Sequence, residues 1–243
     1  MNKLITRYMS GEYDKVWKEI ENTDIQHLDM IHADDIRAVL RETFSRVAYN
    51  LQIIYKALTD IGYHFASDHP LVAPDSNTGA RLTKIQEAVS SFGHIPESLK
   101  YFYEIVGSCD FTWNAYASSP IWEYSDPLQI SGIQELSEYV SDGDWAEYIE
   151  ELKAETTDMV PYVELSADFY HKDNVSGGQA YSIAINPYPS VDSKLLFEER
   201  NTTFINYLRI SINNCGFSRI DKIQRIESLD SFLKTVKPQL KPF

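Results

Sequence analysis

One long helical stripe constrains the fold of this chain more than any other feature. Its apolar side chains recur at steps of three and four, and they are Ile36, Val39, Leu40, Phe44, Val47, Leu51, Ile54, Leu58 and Ile61. Such steps place side chains on one face of an α-helix. The spacing predicts a helix from about Ala33 to Ile61, with Gly62 as its C-cap because glycine readily adopts the left-handed conformation found there.

The remainder of the chain predicts an α+β protein in two parts. A shorter helical pattern precedes the long helix, and residues 66–80 are rich in Pro, Asp, Asn and Gly, which is typical of a loop. We therefore expect a helical N-terminal extension over residues 1–80 and an α+β domain over residues 81–243. Strands are predicted within 109–113, 128–130, 160–165, 179–185 and 194–198, alternating with amphipathic helices. Ser176-Gly177-Gly178 has the composition of a hairpin turn.

Charge and composition restrict the classes of partner. The 243 residues carry a formal net charge of −14 at pH 7, which disfavours nucleic acid and anionic membranes as ligands and favours a basic protein. Two cysteines do not make a disulfide framework, and we expect both to be reduced core residues. No run approaches the roughly 20 apolar residues of a membrane span, and the N-terminus lacks an apolar signal region. These features predict a cytoplasmic protein.

Most of the negative charge lies in one segment. Residues 122–160 contain eleven acidic side chains and one basic side chain, Lys153, so this segment carries −10 of the −14. A helix is predicted from Asp144, with Asp144 and Glu147 as its capping box. Trp145, Tyr148, Ile149 and Leu152 should form its buried face, and the glutamates opposite should form an exposed acidic ridge.

We hypothesise that this ridge and its surroundings bind the basic partner. The candidate binding residues are Trp122, Glu123, Asp142, Asp144, Glu147, Glu150, Glu151 and Glu155. The alternative is a solvated acidic face that only improves solubility. Trp113, Tyr116, Trp122 and Tyr124 cluster in the segment 113–125, where they are either core residues or contact residues, and Trp122 is the favoured contact.

Catalytic and metal-binding patterns are weak. Asp168, His171 and Asp173 lie within six residues, but no second cluster completes a metal site, so loop positions are the preferred interpretation. Ser176-Gly177-Gly178 lacks the lysine of a phosphate-binding loop, and no nucleophile lies in a recognisable motif. The sequence predicts a protein that is not an enzyme and that needs no metal or other cofactor.

An ordered set of residues between about 92 and 220 resembles the SUKH superfamily. The set comprises Pro96, Leu99, Tyr103, Gly107, Asp126, Pro127, Leu128, Ser176, Gly177, Gly178, Phe204, Tyr207, Leu208, Gly216 and Phe217. Two positions depart from the family pattern: Ser108 follows Gly107 where a second glycine is frequent, and Ser218-Arg219 stands where Pro-Gly is common.

The resemblance implies a SUKH-like sheet wrapped by helices and a role as a binding module. Many bacterial members resemble immunity proteins that neutralise a cognate toxin. We therefore expect a non-enzymatic immunity protein that occludes a basic toxin domain, for example that of a nuclease. The alternative is a regulatory scaffold for cell-envelope or signalling proteins. The sequence leaves the oligomeric state open.

Overall fold

The long helix forms as its periodicity predicts. The computed structural model describes residues 3–21, 23, 30–117, 122–156, 158–223 and 226–243. Helix α3 spans Met30–Asp60, and the stripe from Ile36 to Leu58 is buried, whereas Ile61 lies beyond the helix and is exposed. Gly62 has a φ of +76°, and the backbone N–H groups of Gly62 and Tyr63 donate to the Thr59 and Leu58 carbonyls. These paired hydrogen bonds satisfy the last carbonyls of α3.

Two short helices precede α3. They are α1 (Leu4–Met9) and α2 (Tyr13–Glu21). Helix α1 packs on α3, where the Asp35 carboxylate accepts the Leu4 backbone N–H at 2.6 Å and Thr43 Oγ1 donates to Tyr8 Oη at 2.9 Å. The N-terminal part is therefore helical, as the sequence predicts.

The first antiparallel sheet joins the N-terminal part to the remainder of the chain. Its strands are β1 (Leu71–Val72), β2 (Ser108–Asp110) and β3 (Gln129–Ile130), in that spatial order. Strand β1 lies in the segment predicted to be a loop, because a strand of two residues has too little periodicity to be recognised. Val72 pairs with Ser108, so residues on both sides of position 80 share one sheet.

The second antiparallel sheet continues from the edge of the first. Its strands are β4 (Tyr162–Ser166), β5 (Tyr181–Ala184) and β6 (Leu195–Leu196). The Ser131 N–H donates to the Leu165 carbonyl at 2.8 Å, and the Ala167 N–H donates to Gln129 Oε1 at 2.9 Å. The two sheets therefore adjoin through β3 and β4.

Helices cover these strands and share one core with them. The helices are α4 (Thr78–Val89), α5 (Glu97–Ile105), α6 (Ile133–Ser141), α7 (Asp144–Glu155), α8 (Phe169–Lys172), α9 (Phe204–Asn213) and α10 (Glu227–Val236), followed by a 3₁₀ turn over Lys237–Gln239. Helix α3 contacts α5, α9 and α10, and one hydrophobic cluster includes residues from all of them. Cys109 and Cys215 are free and buried, as predicted. The α+β class is confirmed.

The residues that carry the family resemblance are mostly interior positions. Leu99 and Tyr103 on α5, Leu128 beside β3, and Phe204, Tyr207 and Leu208 on α9 are all buried. Gly107 ends α5 with a φ of +92°. Ser176-Gly177-Gly178 is exposed, but the predicted tight hairpin is wrong, because α8 and a longer loop connect β4 to β5.

Candidate partner-binding surface

The acidic ridge forms on α7. Its glutamates, Glu147, Glu150, Glu151 and Glu155, are all exposed, and so are Asp142 and Asp144 at the start of the helix. Two i,i+4 pairs of like charge on one helix cost about 0.2–0.5 kcal/mol each. The structure therefore places six of the eight candidate binding residues along one helix and the turn that leads into it.

The predicted capping box of α7 is wrong. The N-cap is Gly143, whose φ of +97° favours glycine, and Asp144 is the first helical residue. The Asp142 carboxylate accepts the Asp144 backbone N–H at 3.2 Å, and the Glu147 N–H donates to the Gly143 carbonyl. Carboxylates at a helix N-terminus interact favourably with the helix dipole, so the start of α7 is stabilised without the box.

The inner face of α7 anchors the ridge to the fold. Trp145 and Ile149 are buried, and the Trp145 indole N–H donates to the Tyr162 carbonyl at 3.0 Å. Lys153, the single base of the segment, lies over the Phe92 ring with its Nζ 5.5 Å from the ring centroid. This cation borders the buried face on the side away from Glu151 and Glu155, and it lies three residues after Glu150 at one border of the ridge.

Tyr148 differs from its predicted position. The helical spacing predicts an inner-face position for it, yet its side chain is 42% exposed. At 100° per residue it lies between the buried face of α7 and the line of Asp144, Glu151 and Glu155. Its hydroxyl is 3.2 Å from the Tyr162 hydroxyl, so the ring is held in place at the border of the ridge.

Tyr148 belongs to a group of aromatic rings, which we call the aromatic face, in which Tyr148 and Phe197 are exposed and Tyr162 is buried. Its members are Tyr139 on α6, Tyr148 on α7, Tyr162 on β4 and Phe197 just after β6, with Glu164 among them. The Tyr162 and Phe197 rings meet edge to face with centroids 5.2 Å apart, and Phe197 is 39% exposed. The pKa of Tyr139 is raised to about 12, chiefly by burial and then by the charge of Glu164. The aromatic face therefore adjoins the acidic ridge through Tyr148.

Trp122 and Glu123 lie elsewhere. The expected exposure of Trp122 is wrong: its side chain is 5% exposed, and its ring stacks on Phe217 with centroids 4.9 Å apart. The Ser/Pro-rich composition of the segment suggests an exposed loop, but composition does not show whether a particular ring packs into the core. Glu123 is half-buried and lies beside Tyr124 and Asp173. The predicted aromatic segment also includes residues 118–121, which lie outside the described residues.

One acidic residue of the charged segment is neutralised inside the protein. Asp126 and Lys172 form a buried ion pair at 2.7 Å, and the hydroxyls of Tyr181 and Ser218 also donate to the Asp126 carboxylate. Burial raises the pKa of Tyr181, and the adjacent Asp126 carboxylate reinforces the shift. Asp126 therefore belongs to the interior and contributes no charge to the partner-binding surface.

The three residues considered as a weak metal site, Asp168, His171 and Asp173, do not converge on one point. The Asp168 carboxylate accepts the Tyr170 N–H at the start of α8 and also contacts His171 Nδ1. The Asp173 carboxylate accepts the Trp113 indole N–H at 2.9 Å and the Tyr124 N–H at 2.8 Å. Among the described residues, no group of three or more His, Cys, Asp and Glu side chains is placed to hold a metal ion.

Two clefts are lined by no residue of the aromatic face. One, of about 510 Å³, runs between β1–β3 and the start of α6 and contains the Asp75–Arg81 ion pair. The other, of about 560 Å³, is lined in part by residues 186–194. Neither is lined by Asp126 or Lys172.

Across the described ranges, no helix combines the length and the apolar character that crossing a bilayer requires.

The sequence did not identify Glu164 and Phe197 as surface residues, or the buried Tyr162 as the ring that links them to Tyr148. Glu164 gave the one usable signal, because it is a lone acid in the otherwise apolar strand Tyr162–Leu165.

Comparisons of the chain with protein-family models, with curated proteins and with solved structures found no match.

Proposed function

We propose that this chain is a non-enzymatic binding module that neutralises a basic protein by covering its functional surface. The single observation that carries the proposal is the acidic ridge of α7 bordered by the aromatic face, in which the Tyr148 and Phe197 rings are exposed. Protein interfaces commonly combine aromatic anchors with a polar rim that steers the partner. Opposite charge raises the rate of encounter, and aromatic contacts slow dissociation.

The preferred partner is a toxin domain that acts in the cytoplasm. A nuclease must present a basic cleft to hold nucleic acid, and an acidic ridge on a rigid helix is complementary to such a cleft. The resemblance to the SUKH superfamily, in which many bacterial members resemble immunity proteins, supports the immunity role over that of a regulatory scaffold. Neutralisation would be steric and electrostatic occlusion, so no cofactor is required.

Co-expression with a neighbouring gene product tests this function. The DNA that flanks the gene is sequenced, and a neighbouring product that ends in a short basic domain is expressed with and without this chain. We expect the basic domain alone to arrest growth, and the chain to restore growth and to purify with it. Flanking genes for envelope synthesis, with no such domain, would contradict the immunity role and favour the scaffold.

A charge-matched pair of variants tests the surface. In the test variant, Glu147, Glu150 and Glu151 are all changed to Lys. In the control variant, the exposed acids Asp68, Glu87 and Glu104 are changed to Lys, which alters the net charge equally. The ridge variant should lose rescue and binding while the control keeps both. Equal behaviour of the two variants would show that only total charge matters, against the proposed surface.

A further inference from the structure

The aromatic face contains a carboxylate that lacks a counter-ion. Glu164 lies in the centre of β4, and no hydrogen bond or ion pair joins its carboxylate to another described residue. Lys194, which precedes β6, is exposed and makes no ion pair with it in the described part of the chain. The pKa of Glu164 is raised, and burial is the cause. Because the Glu164 side chain is nevertheless exposed, its carboxylate is accessible to a cation from a partner.

The sheet register directs Glu164 toward the aromatic rings. Glu164 pairs with Ser182, which in turn pairs with Leu196, so these three side chains share one face of the sheet. Tyr162 lies two residues before Glu164 and therefore on the same face. The opposite face carries Val163 and its neighbours, which belong to the core.

Phe197 is held at this face by an unfavourable backbone. Its φ is +66°, a left-handed value that is rare for a bulky residue. Such strain persists only where the surroundings enforce it. Here it presents a partly exposed ring against the edge of Tyr162.

We propose that the aromatic face is a socket for one arginine side chain of the basic partner. This inference rests on the proposed function and names its anchor. A guanidinium can stack on the Tyr148 or Phe197 ring and donate two parallel hydrogen bonds to the Glu164 carboxylate. Lysine fits less well, because its compact ammonium neither stacks as a plane nor binds a carboxylate with two parallel donors.

Binding of a small probe tests the socket without the partner. N-acetyl-arginine amide is titrated into the full chain labelled with ¹⁵N, and N-acetyl-citrulline amide, which has the same shape without the charge, is the control. We expect saturable shifts confined to amides around Tyr148, Glu164 and Phe197, and none with citrulline. Glu164→Gln and Phe197→Ala should each weaken arginine binding at least tenfold, while the spectra remain those of the folded chain.

Two results separate this inference from the proposed function. Shifts that follow the α7 glutamates and are unchanged in Glu164→Gln would overturn the socket, because the arginine would then be held by the ridge alone. The proposed function would stand if the ridge variant still abolished neutralisation of the basic domain. Loss of neutralisation in neither the ridge variant nor Glu164→Gln would overturn both.

Discussion

Gly107 should tolerate a methyl group far less well than Gly62, although both end helices with a positive φ. Gly62 has a φ of +76°, and no atom lies within 4 Å of the position that a Cβ would occupy. Gly62→Ala therefore incurs only the left-handed backbone cost, about 1–2 kcal/mol, partly offset by the lower entropy of the unfolded chain.

A Cβ at Gly107 would meet the backbone of the N-terminal part. It would overlap the Val72 carbonyl oxygen and lie 3.0 Å from Ala73 C and Pro74 N. Strand β1 would have to move away from β2, because a backbone carbonyl cannot rotate aside as a flexible side chain can. Overpacking typically costs another 1–3 kcal/mol, so we expect Gly107→Ala to lose about 2–5 kcal/mol.

Urea unfolding followed by tryptophan fluorescence measures this difference in both variants and in the wild type. The expected extra loss for Gly107→Ala, about 1–3 kcal/mol, is a large share of the roughly 5–15 kcal/mol of a typical domain. If Gly107→Ala fails to accumulate while Gly62→Ala does, the reasoning also holds. An equal loss in both variants would refute it, because the close approach of β1 would then carry no energy.

Three further perturbations give sharp expectations. Lys172→Met should cost about 3–5 kcal/mol of unfolding free energy, since it leaves the buried Asp126 carboxylate without its cation, and adding Asp126→Asn should restore part of the loss in the same urea assay. Trp122→Ala should cost about 3–5 kcal/mol because its ring stacks on Phe217, whereas a loss below about 0.5 kcal/mol would indicate a surface residue. The raised pKa of Glu164 makes its ionised form unfavourable in the fold, so the contribution of this group is full below its ordinary pKa of 4.5 and is lost as pH rises through the folded value. Glu164→Gln should consequently be at least as stable as the wild type at pH 7, and this advantage should vanish on acidification toward pH 4; a variant that is less stable at pH 7 would contradict the assignment.

Local patterns predicted the helices well. The steps of three and four in α3, and the glycine at its end, are properties of consecutive residues, so sequence alone locates Leu58 and Gly62 correctly. The strands are harder, because most have two to four residues and depend on their partners. Strand β1 was missed for that reason, although Val72 pairs with Ser108.

The candidate site was predicted in part. The exposure of the α7 glutamates follows from helical geometry, but the exposure of Tyr148 depends on what covers it, which the helix itself does not specify. Glu164 and Phe197 lie beside Tyr162, which contacts Tyr148, only because of the sheet register and the return of the chain after β6. The burial of Asp126 depends on Lys172, which is 46 positions away, so counting the acids of the segment could not reveal that this one is interior.

The association rate of this chain with the neighbouring basic domain tests the central claim most directly. It is measured for the wild type, the ridge variant and the charge-matched control across ionic strengths from about 50 to 500 mM, over which screening by salt becomes severe. The account predicts a rate that falls steeply with salt for the wild type and the control, and a slow rate with little salt dependence for the Glu147, Glu150 and Glu151 variant. Identical salt dependence in all three proteins would contradict it, because the acidic ridge would then have no special part in recognition.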